Sequence, residues 1–258
     1  MTARESPVAL FTSLKMYFGQ EETRAWSRAI AKIVQDAREQ DGFDGEVAVF
    51  PGYTSLHEVA PLLSDAGIAL GAQDVAADEA GAQTGEVSAR VLAEVGCTFV
   101  EIGHAERRAK FGETDDVISR KVANAVAAGL VPLVCVGESE TDESDAGAHC
   151  SAQLTAALDG LRDSGATTRL VVAYEPVWAI GAAESAPPSH VAGVVRALRR
   201  TAAEHPAVER FQVIYGGSVS PETAAELGAE TDGLFLGRYV HDPEAFGRLI
   251  AEHIGQRA

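Results

Sequence analysis

The chain predicts an α/β fold of the (β/α)8 type, in which eight parallel strands close into a barrel inside a ring of helices. Three observations carry the prediction. Eight short runs are apolar almost throughout, longer stretches with helical periodicity separate them, and 258 residues suit one such barrel. Parallel strands are covered on both faces, so they need no polar alternation. Residues 1–258 are therefore expected to form a single barrel domain.

The elements follow in order. The first strand run is Val8–Phe11. A helical stretch at Glu21–Glu39 places Trp26, Ile30, Ile33 and Val34 on one face. Val47–Phe50, Ile68–Gly71 and Thr98–Ile102 supply strands two to four. Val117–Ala128 has Val117, Val122 and Val126 near helical spacing, and Gly129 stops it. Val131–Val136, Leu170–Tyr174, Gln212–Tyr215 and Leu234–Leu236 complete the strands. Pro221 after Ser220 opens a helix that Gly228 ends, and Asp242–His253 forms the last one. The acidic stretch Glu138–Gly147 reads as a solvated turn after the fifth strand.

Composition narrows the function classes. Lys and Arg number 21 against 38 Asp and Glu, a formal charge of −17. Such a surface argues against nucleic acid or an anionic membrane as partner, although a cleft can still be locally positive. Cys97, Cys135 and Cys150 are odd in number and lack metal-site spacing, so they read as free thiols of a reducing compartment. The first residues lack an apolar signal core and no run approaches 18 apolar residues, which makes a cytoplasmic protein the expectation.

Barrel chemistry gathers where strands end and loops begin. Strand one is followed by Thr12-Ser13-Leu14-Lys15-Met16, and strand four by Gly103-His104-Ala105-Glu106-Arg107-Arg108. Strand six ends in Glu175, strand seven in Gly216-Gly217-Ser218 and strand eight in Gly237-Arg238. A carboxylate can take a proton from carbon beside a carbonyl. A neutral imidazole can donate to that carbonyl oxygen, a lysine offsets charge on the enediolate, and glycine turns can hold a phosphate. A helix beginning at His104 would hold its pKa down and keep it neutral. Each residue alone has a plain structural alternative: a satisfied histidine, a surface lysine, a paired glutamate, a tight turn. Their convergence on one rim favours chemistry.

Longer motifs support this. Gly103-His104-Ala105-Glu106-Arg107-Arg108, Phe111-Gly112-Glu113-Thr114, Cys135-Val136-Gly137-Glu138, Ala173-Tyr174-Glu175-Pro176-Val177-Trp178-Ala179-Ile180-Gly181 and Tyr215-Gly216-Gly217-Ser218-Val219 resemble the triosephosphate isomerase family over nearly the whole chain. Gly81-Ala82-Gln83-Thr84-Gly85-Glu86 is similar to that family's third loop. The resemblance implies Glu175 as the base, His104 as the neutral electrophile and Lys15 as the electrostatic partner. It implies Glu106 beside the site and Cys135 behind the base, with Gly181, Ser218 and Gly237 donating backbone N–H groups to a phosphate. It also implies a homodimer in which Thr84 reaches the neighbouring site, and no metal or organic cofactor.

The chain departs from the family pattern at the pocket edge. Ser13 stands where the family usually carries asparagine, Leu14 where it carries tryptophan, and Arg238 where it carries a second glycine. The loop after Ile180 reads Gly181-Ala182-Ala183-Glu184 instead of Gly-Thr-Gly-Lys. Serine leaves room for one more hydroxymethyl group, and Arg238 offers a planar donor fork. Together these changes are similar to the family branch that interconverts L-erythrulose 1-phosphate and D-erythrulose 4-phosphate. The alternatives are the triose phosphate reaction itself and a catalytically silent barrel that binds sugar phosphate.

Overall fold

A computed structural model describes residues 8–140, 145–162, 164–182, 184–219, 221–228 and 230–255. The N-terminal segment, part of the acidic stretch, Ala183 and Ser220 lie outside the described residues. Eight strands, β1 (Ala9–Ser13), β2 (Glu46–Phe50), β3 (Ala69–Ala72), β4 (Phe99–Ile102), β5 (Val131–Val136), β6 (Thr168–Tyr174), β7 (Val208–Gly216) and β8 (Gly233–Leu236), pair in sequence order into a closed barrel. All eight pairings are parallel, including β1 with β8, which removes both sheet edges. The predicted barrel is therefore present, with each strand within a few residues of its expected span.

The helices are α1 (Gln20–Asp41), α2 (Leu56–Asp65), α3 (Ala89–Val95), α4 (Ala105–Phe111), α5 (Asp115–Ala127), α6 (Ala146–Leu158), α7 (Pro188–Ala203), α8 (Pro221–Leu227) and α9 (Pro243–Gly255). The chain thus carries two helices, α4 and α5, between β4 and β5, where simple alternation predicts one. Gly112, with φ +69°, ends α4 in the left-handed conformation that a glycine adopts without penalty. Among the described residues, no helix is long and apolar enough to cross a membrane.

Side-chain alternation along the strands makes two cores. Leu10, Val49, Val100, Val134, Val172 and Val213 face outward and pack under the helices. Phe11, Phe50, Phe99, Leu133, Val171, Ile214 and Phe235 face inward and fill the barrel. The phenylalanines meet edge to face, with the Phe11 and Phe99 ring centres 4.9 Å apart. The barrel interior is a packed floor, which leaves a ligand of this fold the C-terminal rim.

Three sequence expectations need correction. The strands are not apolar throughout, because Glu101, Arg169 and Gln212 sit on inward-facing positions of β4, β6 and β7. Arg169 is satisfied by Glu46 and Gln212 at the lower end of the barrel. The buried stripe of α5 is Ile118, Lys121, Val122 and Ala125, while Val117 and Val126 are only partly covered. Lys121 turns inward because Asp74 and Glu113 each accept from its ammonium at 2.6 Å. Glu138, read as part of a solvated turn, is fully buried.

Candidate active site

The rim residues converge. Glu175 follows directly on β6, and its carboxylate leans across the end of β7. A Cβ at Gly216 would lie 2.5 Å from Glu175 Cγ, so only glycine leaves room for the Glu175 side chain there. From β5, Cys135 packs behind it, fully buried, with its thiol pKa pushed far up by burial first and by the Glu175 charge second. The thiol is therefore protonated and serves as packing.

His104 follows β4 and caps α4. Its Nδ1 accepts the backbone N–H of Glu106 at 3.1 Å, so that nitrogen carries no proton and Nε2 is the donor. Nε2 lies 3.4 Å from Glu175 Oε2. Both atoms are buried, and neither has a hydrogen-bond partner among the described residues. A buried unpaired donor and acceptor each cost about 1–3 kcal/mol, which a ligand bonding to both would recover.

Lys15 stands opposite. It is the only non-glycine with positive φ among the described residues, at +48°, a conformation that costs about 1–3 kcal/mol. Gln73 steadies this turn by donating to the carbonyls of Lys15 and Phe50 at 3.0 and 2.9 Å. The ammonium reaches Glu106 Oε1 at 3.0 Å. Burial pulls the Lys15 pKa down, but the charges of Glu175, Glu106 and Glu101 outweigh it and hold it above the ordinary value. Lys15 is thus a permanent cation. Burial raises the Glu106 carboxyl, and its bond to Lys15 more than reverses this, so Glu106 is held below the usual range.

A cavity of about 420 Å³ opens at this rim. Ser13, Lys15 and Glu175 line one part, and Gly181, Ser218, Gly237 and Arg238 line another. The loop after Glu175 turns through a short 3-10 helix, Val177–Ala179. Ser218 Oγ draws this loop down by donating to the carbonyls of Ala179 and Ala182, and Tyr215 accepts the N–H of Ala186 at 3.0 Å. Arg238 extends its guanidinium to the loop: Nη2 lies 3.4 Å from where a Cβ of Gly181 would stand. Its charge therefore sits among the glycine and serine backbone groups suited to a phosphate.

Not every expected residue joins the cavity. Thr84 lies on an exposed loop, away from the cavity lining. Three features escaped the sequence reading. Glu138 accepts from Trp178 Nε1 at 2.9 Å and Tyr174 at 3.1 Å, and bonds His190 at 2.9 Å, which fastens the 3-10 turn behind Glu175. Burial raises its pKa, and its own backbone N–H together with His190, Trp178 and Tyr174 brings it below the ordinary value. Tyr17 lines the mouth of the cavity. Glu101 sits on an inward-facing position of β4, buried, with its pKa raised to about 7 by burial above all. The signal for it was a lone charge in Phe99-Val100-Glu101-Ile102.

Comparison with known proteins follows this geometry. The sequence model of the triosephosphate isomerase family matches residues 8–253. L-erythrulose-1-phosphate isomerase of Pectobacterium atrosepticum is 41% identical over 246 residues, covering 95% of each chain. Triosephosphate isomerase of Roseiflexus sp. is 40% identical over 217 residues, covering 81% of this chain and 85% of that one. The crystal structure of triosephosphate isomerase from Bartonella henselae superposes with a TM-score of 0.79 at 29% identity, covering 96% of this chain and 99% of that one.

Proposed function

Because the chain belongs to the triosephosphate isomerase family and is a sugar-phosphate isomerase of that type, we propose that it interconverts L-erythrulose 1-phosphate and D-erythrulose 4-phosphate. The observation that carries the chemistry is the pair Glu175 Oε2 and His104 Nε2, both buried, both unpartnered and 3.4 Å apart. Glu175 takes the proton from the hydroxyl-bearing carbon next to the ketone. The electrons of that C–H bond form the enediolate, and Nε2–H of His104 donates to its oxygen. Lys15 offsets the charge, His104 gives its Nε2 proton to the former carbonyl oxygen and takes one back from the neighbouring hydroxyl oxygen, and Glu175 returns the carbon proton to the neighbouring carbon, so that the carbonyl has moved by one position. The backbone groups of Gly181, Ser218 and Gly237, with Arg238, hold the phosphate. Glu106 anchors Lys15, and Cys135 backs Glu175.

Ser13 supports the four-carbon substrate. It lines the cavity beside Lys15 with a side chain smaller than asparagine, which leaves space at the end of the sugar remote from the phosphate side. The relative from Pectobacterium, matched over 95% of each chain, supports the same reading. The test is kcat/KM for L-erythrulose 1-phosphate and for glyceraldehyde 3-phosphate on one preparation. Faster turnover of the four-carbon sugar is expected, and equal or better turnover of the triose refutes the substrate. The triose reaction is the second reading, favoured by the retained Lys15, His104 and Glu175 and by the Roseiflexus relative. Loss of both activities would leave a silent binding barrel.

Residues 1–258 act in this proposal as one domain, and two copies pair. Met16 is 98% exposed and Tyr17 56%, close to the cavity mouth, and the Gly81–Glu86 loop is also exposed. A second copy burying them would bring Thr84 to the neighbouring site. Light scattering that returns the mass of one chain would refute the dimer.

A further inference from the structure

We infer that Ser13 and Glu101 form a polar subsite that receives the terminal hydroxymethyl group of a four-carbon substrate, which makes Glu101 a specificity-determining residue. The inference rests on the substrate proposed above. Gly181, Ser218 and Gly237, the phosphate side of the cavity, follow β6, β7 and β8. β4, which carries Glu101 and leads into His104, lies across the closed barrel from β8. A sugar phosphate anchored on the first side and reacting between Glu175 and His104 directs its far end away from that anchor. Ser13 lines the cavity, and Glu101 faces the barrel interior from β4, near enough to Ser13 for that hydroxyl to act on its carboxyl.

Glu101 is unlike the other charged groups inside the barrel. Arg169 and Glu46 pair with each other. Glu101 makes no ion pair within 4.0 Å among the described residues, although it is only 3% exposed. The groups that act on its carboxyl are His104, Glu175, Ser13 and Lys15, all of them rim residues. Its Oε2 is buried with no hydrogen-bond partner among the described residues. The surrounding inner wall is apolar, so a side chain serving only the packing here would be aliphatic or aromatic. A hydroxymethyl group supplies what the pair lacks: one O–H group, able to donate and accept, at the end of a chain one carbon longer than a triose. The shorter substrate carries no group to that position and leaves Oε2 unpaired.

The experiment measures kcat/KM for L-erythrulose 1-phosphate and for glyceraldehyde 3-phosphate in the wild type, Glu101→Leu and Glu101→Gln. The ratio of four-carbon to three-carbon turnover is expected to fall about 10- to 100-fold in Glu101→Leu. Glu101→Gln keeps an oxygen acceptor of the same shape and is expected to restore most of the ratio. A general packing defect lowers both substrates together, so an unchanged ratio in Glu101→Leu overturns the subsite. Should that variant fail to fold, Ser13→Ala removes the hydroxyl of the proposed subsite without adding bulk, and an unchanged ratio there overturns it equally. A wild type inactive on the four-carbon sugar overturns the substrate and the subsite together. An active wild type with insensitive variants overturns the subsite alone.

Discussion

Replacing Glu101 by glutamine gives a stability signature whose sign and size follow from its burial. The carboxyl is 3% exposed, and its pKa rises from the ordinary 4.5 to about 7. Burial is the leading cause; His104, Ser13 and Lys15 oppose it, and the charge of Glu175 adds to it. The buried thiol of Cys135 faces the same group. With the folded pKa above the unfolded one, the native protein keeps a proton between pH 4.5 and 7 that the unfolded chain has lost. This contribution is fully present below about pH 4.5 and is lost as the pH rises through about 7. The separation of the two values corresponds to about 3 kcal/mol at full ionisation. Glutamine keeps the shape and cannot ionise. Urea denaturation of both proteins at pH 5 and pH 8, at one protein concentration, isolates the effect because other titrating groups cancel in the difference. Between these pH values the variant is expected to gain about 2–3 kcal/mol on the wild type. Identical pH dependence in the two proteins would refute a buried, proton-holding Glu101.

Three further perturbations probe the site and its support. Glu175→Asp draws the carboxylate back by one methylene and should lower kcat by about 100-fold or more with an unchanged circular dichroism spectrum; full activity would remove Glu175 from the role of base. Gly216→Ala places a methyl group against Glu175 Cγ and should lower kcat well beyond any change in melting temperature. A variant with normal kcat would show that the base has room to shift. Lys121→Met removes the more buried of the two cations that Asp74 and Glu113 share and should cost about 3–5 kcal/mol in denaturant unfolding. A loss below 1 kcal/mol would mean that Arg107, which also reaches both carboxylates, suffices alone.

Several features resisted the sequence for identifiable reasons. The inner stripe of α5 was misjudged because Lys121, a charge, belongs to it. Its partners Asp74 and Glu113 come from separate loops, and local periodicity carries no information about them. Glu138 resembled its acidic neighbours, yet Tyr174 and His190, 36 and 52 residues further on, fold over it. Its burial is decided by β6 and α7.

The sequence by itself determined the barrel and the identity of its rim. Strands covered on both faces must be apolar, and a closed parallel barrel puts every strand end on one side, so Lys15, His104 and Glu175 were legible as neighbours before any coordinate was known. Only the tertiary structure decided how they meet: the 3.4 Å approach of His104 to Glu175, the strained turn that lifts Lys15, and the reach of Arg238 to Gly181. It also decided that the one carboxylate within β4 lies inside. Strand alternation allows two faces, and the closure of the barrel assigns Glu101 to the inner one, where burial raises its pKa.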